Sequence, residues 1–222
     1  MGALGCFGLI VVLTILVVAI VALSLYLEKK RRDALEALAQ ELSFTFQPGA
    51  DTALLSKLSV FELFNRGDSR KMSNLLRGKT NDLEINIFDY QFMTGSGTSR
   101  TTWTFSVFVA RRSNLKLPQF SLSPENIFHK IGGLFGFQDI DFASHPRFSS
   151  RYLLRGPDEE AIRNLFQPQV LDWFESHLGL SIEAKDDTIV FARRPLLAAS
   201  KIRDFLAEGF EILKQFESVA MR

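Results

Sequence analysis

The chain has 222 residues, with 26 Lys and Arg against 25 Asp and Glu. That balance gives no electrostatic case for nucleic acid, which needs a basic excess. A single cysteine, Cys6, excludes an intrachain disulfide and a cysteine-based zinc site, and 46% hydrophobic with 23% charged residues is an ordinary globular balance once an apolar N-terminus is set aside.

From Leu4 to Tyr26 no residue is charged. As a helix this run reaches roughly 34 Å, enough for a hydrocarbon core of about 30 Å. A cleaved signal peptide fits poorly, because nothing basic precedes the run and the run is too long. Residues 1–27 are therefore expected to form one transmembrane helix. Lys29, Lys30, Arg31 and Arg32 follow it at once, and no Lys or Arg precedes it. The positive-inside rule then places the following domain in the cytoplasm, at the cell's inner membrane. The same four residues suit anionic lipid headgroups, as any positive flank does.

Residues 28–42 continue as a juxtamembrane amphipathic helix, with Leu35, Leu38, Ala39 and Leu42 on one face. Its stripe either docks on the domain or lies on the bilayer. Residues 43–222 read as the soluble domain. A short strand over 43–47 stops at Pro48-Gly49, and a short helix over 53–58 is capped by Asp51 or Thr52. Weaker strands are expected over 61–65 and 72–77. Leu83, Ile85 and Ile87 alternate on one face, then Phe88, Tyr90 and Phe92 on the other. That phase flip predicts a β-bulge near Ile87-Phe88 or burial on both faces. After a polar hairpin loop, Trp103, Phe105, Val107 and Val109 predict a half-buried strand.

Residues 117–122 suggest a short edge strand. Ser123 and Pro124 read as the cap and first position of a helix to Ile131, ended by Gly132-Gly133. Phe148, Ser150, Tyr152 and Leu154 alternate as another strand. Two helices then meet at Pro168, residues 180–192 form a hairpin around Lys185-Asp186-Asp187, and a strongly patterned helix runs from Ile202 to Ala220. Gly209 lies in its apolar stripe, which implies close packing there. Hairpins without strict βα alternation predict an α+β fold, a mainly antiparallel sheet with flanking helices. The 21 phenylalanines predict a phenylalanine-rich core, with an aromatic-lined lipid or ligand cavity as the alternative.

Chemistry-bearing motifs are few. Asp139, Asp141 and His145 are the best cluster for a metal or for phosphoester chemistry, yet no second ligand stands at a recognised spacing. His129 and His177 have no motif around them. Gly95-Ser96-Gly97 lacks the following helix of a nucleophile elbow. The lysine of Lys130–Gly136 precedes the glycines, the wrong order for a phosphate loop. No cofactor is expected. Arg111-Arg112 and Arg193-Arg194 each end a strand, and if those strands were neighbours the four could hold an anion.

Leu117-Pro118-x-Phe120-x-Leu122-x-Pro124-Glu125, Asp139-Ile140-Asp141-Phe142, and the run from Phe148-Ser149 through Tyr152, Leu154, Gly156 and Asp158-Glu159 to Arg163-x-Leu165-Phe166 carry a resemblance. They resemble a family of uncharacterised bacterial proteins with one N-terminal transmembrane helix. The resemblance spans roughly residues 43–215. It implies no activity and lends no catalytic residue. The expectation is a membrane-anchored module binding a protein partner or a lipid headgroup at the inner face. A membrane-tethered hydrolase using Asp139, Asp141 and His145, or a structural subunit of a membrane complex, are the alternatives.

Overall fold

The apolar run continues without a break into the domain. A computed structural model describes residues 3–124 and 137–220, and in it α1 is one helix, Ala3–Glu41. It is long and apolar enough to cross a membrane, by length and composition. Its side chains from Leu9 to Leu27 point into open space, whereas Leu35 and Ala39 are buried. The apolar stripe of residues 28–42 thus docks on the domain, with Leu38 and Leu42 packed beside it.

Eight strands form one antiparallel sheet: β1 (Thr45–Gln47), β2 (Asp68–Lys79), β3 (Leu83–Thr94), β4 (Thr101–Arg112), β5 (Leu117–Pro124), β6 (Tyr152–Arg155), β7 (Ser181–Asp186) and β8 (Thr188–Arg193). Their order is β1-β2-β3-β4-β8-β7-β5-β6. The edges, β1 and β6, are the shortest strands, which limits the unpaired backbone open to another chain. The helices are α2 (Thr52–Leu58), α3 (Pro146–Ser149), α4 (Glu159–Leu165), α5 (Pro168–Ser176) and α6 (Ile202–Ala220). The α+β architecture expected of the sequence is the one observed.

Both faces of the sheet are buried. One carries α1, α4, α5 and α6 over Leu76, Ile85, Ile87, Phe108 and Ala110. The other carries α2 and a 3-10 turn, Glu62–Asn65, over Met72, Phe88, Tyr90, Phe92, Phe105 and Val107. This explains the phase flip in β3, which pairs with β4 in unbroken register from Leu83↔Arg112 to Thr94↔Thr101. The bulge expected at Ile87-Phe88 lies across from it in β2, where Ser73↔Asp89 gives way to Leu76↔Ile87 and Asn74 takes φ +54°. β4 is likewise buried on both faces, not half-buried.

Four further expectations are corrected. Residues 62–65 form the 3-10 turn, because the Glu183 carboxylate on distant β7 accepts the Glu62 and Leu63 amides. β5 is interior, flanked by β6 and β7. Ser123 and Pro124 end β5, while the expected helix to Ile131 and its glycine terminus lie outside the described residues. Phe148 sits on a helical turn opened by Pro146, not on a strand. A spacing of four places Phe148 and Tyr152 together in either geometry.

The phenylalanine-rich core is present. Phe166 packs against Phe120, Phe216 and Phe174 at ring separations of 5.1, 5.7 and 6.0 Å. Gly209 of α6 lies against the Phe108 ring, and a Cβ there would fall 2.6 Å from a ring carbon. Phe108 is fully buried and cannot yield. Gly209→Val is expected to destabilise the full chain by about 2 kcal/mol in detergent-solubilised thermal unfolding. Gly49→Ala, where nothing lies within 4 Å, is expected to change stability by less than about 0.5 kcal/mol.

Candidate functional site

Four residues past the end of the apolar run, Arg31 turns away from the rest of the basic flank and into the domain. Its Nε and Nη2 donate to the two Asp89 oxygens, each at 2.7 Å, and its Nη1 donates to the Leu197 carbonyl at 2.6 Å. Asn74 adds a third donor to Asp89 at 2.8 Å. The left-handed backbone at the β2 bulge puts Asn74 there. Ser106, paired with Asp89 across β3 and β4, accepts the Leu197 amide at 3.0 Å. Both ions are largely shielded, with side chains 17% and 11% exposed. Breaking such a pair from one side leaves an uncompensated charge and costs about 3 kcal/mol or more.

Lys29, Lys30 and Arg32 remain exposed around α1. Arg31 is thus the one member of the basic flank committed to the fold. Beside it, α1, β2, β3 and the turn at Pro48–Gly49 line an open cavity of ≈ 400 Å³.

A larger cleft of ≈ 810 Å³ opens on the other face, between α2 and the strand ends. Leu54, Leu58, Phe61 and Val109 supply its apolar part. Its two arginines are matched, while Lys57, Lys79 and Lys185 have no ion-pair partner among the described residues: Arg77 bridges Asp51 at 2.6 Å, and Arg111 pairs with Asp187 at 2.8 Å.

The four strand-end arginines are brought to neighbouring strands but not together. β4 and β8 are antiparallel, so Arg193 stands opposite Ser106 while Arg111 stands opposite Thr188. Arg112 bridges Asp82 and Glu217, Arg193 binds Glu208, and Arg194 lies 4.1 Å over the Trp103 ring. Of the other cluster, Asp139 accepts the Leu154 amide at 3.0 Å, tying the chain to β6. His145 faces Asp172 at 3.3 Å and Ser144 at 2.9 Å. Among the described residues no three His, Cys, Asp or Glu side chains are placed to hold a metal ion.

Sequence reasoning missed Asp89, Asn74 and Glu183. Asp89 had a signal: it is the one acid inside the apolar run Ile85–Phe92. Glu183 caps the 3-10 turn near Glu62 and Arg66, which pair with each other at 3.0 Å. Burial pushes its carboxyl from 4.5 up to about 7, against the Leu63 amide, with the Glu62 charge adding to the rise. A proton held more tightly in the folded state favours folding at acid pH. That contribution is present below about 4.5 and lost as pH rises to about 7. The stability of the full chain should therefore fall by ~1–3 kcal/mol more across this window than that of Glu183→Gln. Denaturant titrations at both ends of the window measure the difference, and parallel profiles would remove the assignment.

No family model matches the chain, and no curated protein matches it. Among solved structures, the fold is similar to that of the mycobacterial trehalose monomycolate transport factor A, TtfA. The TM-score is 0.56 at 11% identity, over 86% of this chain and 93% of that one. At this identity the likeness is one of fold: an α+β domain shared with a bacterial transport factor.

Proposed function

We propose that this chain is a membrane-anchored binding module, whose domain meets a protein partner or lipid headgroup at the inner membrane face. One observation carries the reading. The helix suited to crossing the bilayer is the same unbroken helix that docks on the sheet, pinned by Arg31 to Asp89. A domain on a flexible tether gains only local concentration. A domain on a rigid stem also keeps one face toward the membrane and presents the others at fixed height. The basic residues 29–32 favour the cytoplasmic side.

The likeness to TtfA, described as a transport factor, is compatible with such a module and suggests an accessory role beside a membrane transport system. The wide cleft between α2 and the sheet, with apolar floor and charged rim, suits a peptide or loop of that partner.

Mild-detergent purification of the tagged full-length protein from its native membrane, followed by mass spectrometry, tests this. A stoichiometric membrane partner is expected, lost when Leu54 and Val60 in the cleft are both changed to Glu. Recovery of the protein alone, with turnover of a phosphoester that disappears in the Asp139→Asn, Asp141→Asn double variant, would contradict it.

A further inference from the structure

The cavity beside Arg31 sits at a telling depth. α1 walls it with Glu28, Arg31 and Arg32, β2 with Lys71 and Ser73, and β3 with Gln91. The uncharged run ends at Leu27, so Arg32 stands five residues beyond it, about 7.5 Å along the helix. The headgroup layer on each side of a bilayer is about 5–8 Å thick. The α1 wall of the cavity therefore lies at headgroup level if α1 crosses the membrane.

Its charge is also unmatched. Asp89 neutralises Arg31, as above. Arg32 and Lys71 come from separate elements, and neither has a carboxylate partner among the described residues. Arg66, Arg77, Arg112 and Arg193 each hold at least one. Of the charged lining, Arg31, Arg32 and Lys71 against Glu28 and Asp89 leave one positive charge, three minus two. Ser73 and Gln91 add neutral donors.

We propose that this cavity seats the phosphate of an anionic phospholipid, Arg32 and Lys71 gripping its non-bridging oxygens from two sides. The single surplus charge matches a phosphodiester whose headgroup is otherwise neutral. Free phosphate offers the same oxygens, but the depth of the site favours the lipid. This assignment rests on α1 crossing the membrane.

Native mass spectrometry of the full-length protein in non-ionic detergent tests it, with phosphatidylglycerol, phosphatidylethanolamine and inorganic phosphate added in turn. The wild type should retain one phosphatidylglycerol in preference to phosphatidylethanolamine. The Arg32→Gln, Lys71→Gln double variant should bind it about thirtyfold more weakly, roughly fivefold for each cation lost. Both residues are exposed, so its thermal unfolding should match the wild type. Lys29→Gln with Lys30→Gln, an equal charge loss outside the cavity, should leave retention unchanged. Equal retention by the first variant, equal loss in the second, no preference between the lipids, or displacement by inorganic phosphate would each overturn the assignment. Carbonate extraction of wild-type membranes separates the underlying reading: release of the protein would refute membrane crossing, whereas retention with no lipid bound would refute only the site.

Discussion

A guanidinium that leaves the basic flank of the apolar helix to meet a carboxylate in mid-strand constrains everything around it. Arg31 can reach Asp89 only if α1 lies across β2 and β3 in one register. The same register buries Leu35 one turn later and Ala39 two turns later. The pair carries most of its own satisfaction: Asn74 donates to Asp89, the Leu197 carbonyl accepts from the third Arg31 nitrogen, and Ser106 takes the Leu197 amide. A shielded charge left without these partners would cost more than its attraction returns. The β2 bulge, the β4 serine and the segment before α6 are thus tied to one another through α1.

The central strands could not serve this arrangement with one polar face. β3 and β4 place aromatic and aliphatic side chains on both sides, so the sheet needs cover on both. The helical layer contributes one cover. The other is assembled from α2 and a 3-10 turn that exists because Glu183 supplies its missing acceptor. Asp89 sits on the helical side, where its charge has a partner waiting.

Much of this was legible in the residues. The apolar run, the alternation in β3 and β4, the 185–187 hairpin and the stripe of α6 each use a single period that survives folding. The flip at Ile87-Phe88 carried the two-faced sheet in itself, although the bulge it suggested belongs to β2. What misled was local ambiguity or distant control. Phe148 and Tyr152 satisfy both periods, and residues 62–65 become a helical turn through an acid about 120 residues away. The basic flank was visible as a set, but its division was not. That Arg31 folds inward while Arg32 stays free depends on Asp89, 58 residues on. The two strand-end arginine pairs were correctly placed at strand ends, yet only the antiparallel direction of β8 shows that they stand apart.

A rigid stem fixes the position of the apolar helix relative to the domain, and that position is the quantity to measure. Spin labels at Ser24→Cys and Thr98→Cys, with Cys6→Ser as background, report it by pulsed electron resonance in lipid nanodiscs. One narrow distance distribution is expected, broadening when Arg31→Met removes the clasp. A broad distribution in the parent protein, or a narrow one that Arg31→Met leaves untouched, would contradict the claim that this pair fixes the domain against the apolar helix.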